Sequence, residues 1–345
     1  MCGVSTQTVS RVINNRPDVS PVTRSAVEAA IASVGFQPSA VARSLVQRRS
    51  QTLGVILSGL QFFGVAQTLN GIADASEEAG YALLLKEVDG AGQMDILPVM
   101  DFFIGQRVDG IIFAAPDVGR NLSASLPAGS PPMVFLKADH ATGLPTITID
   151  NVGGARLATQ HLIALGRRHI AHVAGPLAWH EARDRRDAWL ETLQAAGLEP
   201  GPVVYGNWTS ADGVAAFEEL LAMDPNIDGV FVANDQMALG VLHLAHRRGI
   251  AVPADIAVVG FDGMEEAAQF TPPLTTVVQP LRELGREAVQ ELLATMDEEP
   301  HPGDELRRTL LTRLIVRESA PMPTPASIPT EDRALAGAAS TGQHA

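Results

Sequence analysis

From Gln51 onward the chain alternates short apolar runs with longer amphipathic stretches, and this alternation constrains the fold more than any other feature. Leu53 to Leu57, Tyr81 to Val88, Val108 to Ala115 and Met133 to Ala138 have the length and β-branched content of buried strands. Ile170 to Ala174, Val203 to Tyr205, Gly229 to Ala233 and Ile256 to Phe261 repeat the pattern in a second half. Between them, segments such as Ala66 to Ala79, Gly154 to Leu165, Asp184 to Ala196 and Gln236 to Arg248 carry helical periodicity, several ended by glycine. Strands alternating with helices imply parallel sheets covered on both faces. Two such halves can hold a small ligand in the cleft beyond the strand C-termini.

Charge separates the first 49 residues from the rest. That segment has six arginines (11, 16, 24, 43, 48 and 49) against Asp18 and Glu28, whereas the remaining residues have 19 basic and 37 acidic side chains. The formal net charge of −14 therefore averages a small basic module and a large acidic body. Taken whole, the acidity argues against nucleic-acid binding; the basic module reverses that inference locally. No apolar run approaches a membrane span, and the N-terminus lacks a secretion pattern, so a cytosolic protein is expected. A lone cysteine, Cys2, leaves no internal disulfide and fits a reducing compartment.

Within the basic module, Ser5 is an N-cap candidate for a helix with Val9, Val12 and Ile13 on one face and Thr6, Gln7, Ser10 and Arg11 on the other. A turn follows, and Ser20 begins a second helix with Val22, Val27, Ala30, Ile31 and Val34 inward, closed by Gly35. Gln and Arg can read base edges bidentately from a helix lying in a major groove, although the pattern alone is met more readily by a solvated helix face.

Three strings decide between these alternatives: Gly3 to Asn14 (GVSTQTVSRVIN), Val19 to Arg24 (VSPVTR) and Pro38 to Leu45 (PSAVARSL). In combination they resemble the LacI/GalR family of bacterial repressors. The resemblance implies operator DNA as a partner, with Thr6, Gln7 and Arg11 reading bases and Ser5 and Ser10 near phosphates. It makes Pro38 to Val46 a hinge helix in which Ala42 and Leu45 face the minor groove and Leu45 is an apolar wedge. Family members carry roughly nine or ten residues ahead of Met1, forming the first helix of the helix-turn-helix, so a start further upstream is expected.

The fold so implied is a small all-α helix-turn-helix head, truncated, joined to an α/β type I periplasmic-binding-protein-like effector domain of two lobes with parallel sheets. The expected boundaries are head 1–37, hinge 38–50 and effector domain 51–318. Its N-lobe spans about 51–149 and 280–308, its C-lobe about 150–279 and 309–318. A disordered tail is expected over 319–345, rich in proline and small residues and without a leucine heptad, which favours a homodimer.

Polar residues at strand ends mark the cleft. Arg183, Asn234 and Asp262 can bind vicinal hydroxyls, and Trp208 can stack on a sugar ring. Loop capping, an ion pair or core packing would account for each of them singly. With Gln279 they match effector-pocket positions of the family, of its lactose-responsive member in particular. Leu60, Phe62, Gly64 and Val65 would form the opposite wall, where this sequence departs from that member. The expected effector is a small carbohydrate of the β-galactoside or β-glucoside class, with a purine disfavoured for want of aromatic sandwiching. No cofactor, metal or enzymatic activity is expected: the sequence lacks a phosphate loop, a nucleophile elbow, a zinc-protease helix and paired cysteines. His169 and His172 are expected to be structural. The rival readings are a plain solute-binding protein, which lacks reason to carry Pro38 to Leu45, and a regulator whose head no longer functions.

Overall fold

The computed structural model describes residues 3–13, 16–35, 49–88, 96–115, 126–127, 129–136, 145–297 and 307–322. The hinge expected over Pro38 to Val46, with Ala42 and Leu45, lies outside these residues, as does the tail beyond 322.

The N-terminal module is two helices, α1 (Thr6–Ile13) and α2 (Pro21–Ser33). Ser5 and Ser20 cap them: each hydroxyl oxygen accepts the backbone N–H three residues on, at 3.1 and 3.2 Å. Val12 and Val27 are buried where the helices meet. Val22 and Val34, expected inward, are instead 81% and 52% exposed, because they sit at the two ends of α2, beyond the reach of the shorter α1.

The body contains two six-stranded sheets. The first combines β1 (Thr52–Leu57), β2 (Ala82–Glu87), β3 (Gly110–Ala114), β4 (Met133–Leu136), β5 (Thr146–Ile149) and β11 (Arg307–Leu310), in the order β11-β5-β4-β3-β1-β2, all parallel. The second contains β6 (Ile170–Ala174), β7 (Val203–Tyr205), β8 (Gly229–Val232), β9 (Ala257–Asp262), β10 (Thr275–Val278) and β12 (Arg313–Ile315), in the order β12-β10-β9-β8-β6-β7. Its edge pair β10–β12 is antiparallel, the exception to the expected parallel sheets. Strand residues alternate between two apolar layers, Val230 and Val232 entering one and Phe231 the other, Val55 and Leu57 one and Ile56 the other, so the central strands of each sheet are buried on both faces while the edge strand β2 is largely exposed.

Helices α3 (Phe63–Glu78), α4 (Leu97–Gly105) and α9 (Leu281–Asp297) cover the first sheet; α5 (Asn151–Ala164), α6 (His180–Ala195), α7 (Ser210–Met223) and α8 (Asp235–Arg248) cover the second. In the first lobe α3 and α9 touch backbone to backbone: a Cβ on Gly71 would lie 2.1 Å from the Arg282 carbonyl oxygen, and one on Gly285 2.1 Å from that of Thr68. Gly213 and Gly240 make the same approach between α7 and α8. The chain passes between lobes three times, at Asp150, at Gln279–Pro280 and at Leu311–Thr312. The last strand of the N-lobe, β11, ends at Leu310. The expected tail begins too early. Ser319 and Ala320 are fully buried, with the Ser319 hydroxyl donating to the Val258 carbonyl at 2.7 Å and its backbone N–H to that of Pro273 at 2.9 Å. Among the described residues no helix is long and apolar enough to cross a membrane.

Candidate functional site

Both sheets have the order 2-1-3-4-5 through their first five strands, so each has a switch point where neighbouring connections leave in opposite directions. The C-termini of β1 and β3 in one lobe and of β6 and β8 in the other open onto a shared cleft. It has two adjoining chambers, which share Val65, Trp179 and Glu181.

The first chamber is polar on its C-lobe side. Arg185 is fully buried; its Nε donates to Asn151 Oδ1 at 2.9 Å and its Nη1 to the Ala233 carbonyl at 2.6 Å. The guanidinium lies 3.8 Å from Asp262 Oδ1 and 3.9 Å over the Phe261 ring. Burial lowers the Arg185 pKa, and the carboxylates of Asp262, Glu181, Asp184 and Asp235 oppose that shift. Asp262 holds φ at 115°, a region that non-glycine residues rarely adopt, and accepts a 2.6 Å hydrogen bond from Gln279 Nε2. Beneath it Asp235 is buried; its carboxylate accepts the Thr276 hydroxyl at 2.6 Å and the Met264 N–H at 2.8 Å. Burial, reinforced by Asp262, pushes its pKa up to about 8.

Trp208, also at positive φ (70°), is 6% exposed and rests against Gly175, where any Cβ would collide with the indole at 2.1 Å. Its Nε1 and the Oε1 of Gln279 are buried without a hydrogen-bond partner, so both can still serve a ligand. Asn234 caps α8 by accepting the Met237 N–H at 2.8 Å and donates to the Trp208 carbonyl at 3.0 Å, which combines the capping and lining roles that the sequence left as alternatives. Phe62, Phe63, Gly64 and Val65 close the chamber from the N-lobe.

Phe62, Trp208, Asn234, Asp262 and Gln279 therefore converge as expected, and Arg183 does not. It is half-exposed and donates to the Leu177 carbonyl at 2.6 Å. The arginine that lines the chamber is Arg185: residues two apart on a helix point to opposite sides, and α6 turns Arg185 inward. Trp179 and Glu181 were also missed. The signal was available, since Glu181 and Arg185 are four apart and share a helix face. Trp179 meets Phe62 edge-on at 5.9 Å and Trp208 at 6.1 Å, making an aromatic bridge across the lobes. His172 is structural: fully buried, it stacks on Phe231 and Trp189, contacts the Phe231 carbonyl through Nδ1, and has a pKa lowered by burial to about 3. His169 is mostly exposed, 3.7 Å from Asp224.

In the N-terminal module Ser5, Thr6, Gln7, Ser10 and Arg11 are all exposed on α1 and its cap. Arg11 reaches Asp18 at 3.4 Å, both half-exposed, a pair weak enough for a phosphate or base to displace. Among the described residues no cluster of His, Cys, Asp and Glu could hold a metal.

Residues 1–39 match the bacterial regulatory proteins of the lacI family, and residues 159–320 match the periplasmic binding protein-like domain. The chain is 37% identical over 331 residues to the HTH-type transcriptional regulator CelR of Thermobifida fusca, covering 92% of this chain and 96% of the relative. Its structure is similar to that of the lac repressor dimer bound to operator and the anti-inducer ONPF, with a TM-score of 0.84 and 32% identity over 93% of this chain and 96% of the other. It is also similar to a transcriptional regulator CelR-cellobiose complex, with a TM-score of 0.70 and 35% identity over 92% and 97% of the two chains.

Proposed function

Because this chain belongs to the LacI family of bacterial regulatory proteins, we propose that it is a dimeric repressor that binds a palindromic operator and is released by a β-glucoside. The observation that carries the effector half is the first chamber: a buried arginine fixed on Asn151 and Ala233, beside Asp262 and Gln279, with an indole edge free to hydrogen-bond. Planar amide, carboxylate and guanidinium groups suit vicinal hydroxyls, and Trp208 supplies an apolar face for the ring. Cellobiose, the ligand named for a CelR complex, is a β-glucoside, which favours glucose over galactose in this chamber.

Thr6, Gln7 and Arg11 would read bases, and Ser5 and Ser10 would approach phosphates from the cap and outer face of α1. A ligand held at once by Phe62 to Val65 and by Arg185, Trp208 and Asp262 favours one arrangement of the lobes. Three chain passages transmit that arrangement to Arg49 and Ser50, where the hinge enters the N-lobe and Asp109 fixes Ser50 at 2.7 Å. Coupling of this kind is worth about 1–3 kcal/mol, a 5–150-fold change in operator affinity. The test is fluorescence anisotropy of a duplex selected from a random pool by the full chain, with and without methyl β-glucoside and cellobiose. Weakened binding on adding sugar is expected; operator affinity unmoved by any glucoside or galactoside would refute the switch.

A further inference from the structure

Asp262 ends β9 at φ 115°, and Gly263 follows at φ 74°. A non-glycine residue keeps such a backbone only where its surroundings over-determine it. Gln279 and Arg185 approach the Asp262 carboxylate, but both line the chamber themselves and are open to a ligand's competing pull. The fixed restraint comes from behind. Asp235 Oδ2 accepts the Met264 N–H at 2.8 Å, the Thr276 hydroxyl oxygen accepts the Gly263 N–H at 3.3 Å, and the same hydroxyl donates to Asp235 Oδ1 at 2.6 Å. One side chain from α8 and one from β10 thus hold the two backbone amides that follow Asp262.

Asp235 and Thr276 are both fully buried, and neither lines the chamber. Opposite Thr276 in the sheet stands Gly260, where a Cβ would fall 2.3 Å from Asp235 Oδ1, so that carboxyl is seated directly on the strand that carries Asp262. Asp235 is the first residue of α8, where an acidic side chain ordinarily favours the helix dipole. Its hydrogen bonds go instead to other elements, and Asn234 already caps α8. Resting on the reading that Asp262 binds an effector hydroxyl, we propose that Asp235 and Thr276 are positioning residues: without touching the ligand, they hold the 262–264 turn so that the Asp262 carboxylate faces the chamber. A turn released from them gains alternative backbone states, and ordering it again on binding lowers affinity.

Two measurements on the full chain separate the turn from its consequence. Amide hydrogen exchange without sugar reads the turn alone. Thr276→Val is expected to speed exchange at Gly263 and Met264 by about tenfold, as the loss of one buried hydrogen bond requires; exchange there equal to that of the unaltered chain overturns the proposal. Calorimetric titration with methyl β-glucoside reads the consequence. Thr276→Val should lose about tenfold in affinity, and Thr276→Ser, which keeps the hydroxyl, should stay within about threefold of the unaltered chain. Once Asp262→Asn has removed the carboxylate, Thr276→Val should cost nothing further; an equal loss in both backgrounds overturns the proposal by showing a general effect on the lobe. Failure of the unaltered chain to bind the sugar removes the glucoside reading, while the exchange measurement still decides whether the turn is held. Asp235→Ala should reproduce Thr276→Val in both measurements; should it not fold, the two threonine variants decide.

Discussion

Replacing Arg185 separates its role from that of Arg183 on the same helix in a way that can be worked from the structure. In Arg185→Met the bonds to Asn151 Oδ1 and the Ala233 carbonyl disappear, and Asp262 is left buried with its nearest cation gone. Removing one partner of a buried ion pair costs about 3–5 kcal/mol, a large share of the roughly 5–15 kcal/mol that holds a domain together. Arg185→Lys keeps the charge and gives up the fork, losing about one charge-assisted bond, about 1.5–3 kcal/mol. If the guanidinium also holds the effector, that figure corresponds to a loss of roughly 10–150-fold in affinity for methyl β-glucoside. Arg183→Met removes a partly exposed bond to the Leu177 carbonyl outside the chamber, so affinity should change far less than in Arg185→Lys. Urea unfolding followed by circular dichroism reads the first quantity, and calorimetry reads the second. A tenfold loss of affinity in Arg183→Met, with Arg185→Lys within threefold of the unaltered chain, would refute the assignment of the buried arginine to the ligand.

Three further outcomes are expected. Asp235 holds a proton in the folded state up to about pH 8, whereas unfolded it releases it near 3.8, so its contribution to stability declines as pH rises through that window. His172 acts oppositely, being neutral when folded down to about pH 3, so its contribution is lost on acidification from 6.5; above 6.5 the Asp235 effect is unopposed. Between pH 6.5 and 8 stability should thus fall by up to about 1.4 kcal/mol per pH unit, and Asp235→Asn should flatten the slope; equal slopes in both proteins would count against a buried protonated acid. Gly71→Ala should destabilise by about 1–3 kcal/mol by forcing α3 from α9, whereas Gly105→Ala, whose Cβ meets nothing within 4 Å, should be neutral or stabilising in the same thermal melts. Finally, Gln7→Ala should cost operator binding about 1–3 kcal/mol and relax base preference at one position; a uniform loss across all duplexes would show a phosphate contact instead.

The fold was most legible where the sequence runs in short apolar stretches, and all eight strands read that way are present, including the edge strands β2 and β7, which are not buried on both faces. Those that lack the signature are β5 (TITI), β10 (TTVV), β11 (RRTL) and β12 (RLI). They flank the passages between lobes, are short, and carry Thr or Arg. Their pairing is set by partners far away in sequence rather than by local pattern, as β11 against β5 shows. The site was legible as residue types at strand ends, which put Trp208, Asn234 and Asp262 at the cleft, while Gln279 came from the family resemblance. It failed on α6, where loop reasoning was applied to a helix: Arg183 is nearer the strand, but helical rotation selects Arg185. Trp179 was invisible because an N-cap aromatic has no periodic context, and its importance comes from Phe62 in the other lobe. Ser319 and Ala320 looked like tail because two buried residues make no pattern at all.

The threefold passage between lobes also determines the order in which the protein can be made. A ribosome delivers β1 to β5 first, yet the first lobe then lacks α9, which packs against α3 through Gly71 and Gly285, and the edge strand β11. The second lobe follows and is equally incomplete, because β12 and Ser319 come from the last described residues. Neither half can close before the other has been synthesised, and both are finished by the same stretch, 307–320. Folding is therefore expected to be a late event for the whole body rather than a succession of two domains. A nascent chain stalled before residue 307 would expose the unpaired edges of both sheets at once, the state in which this protein is most exposed to aggregation.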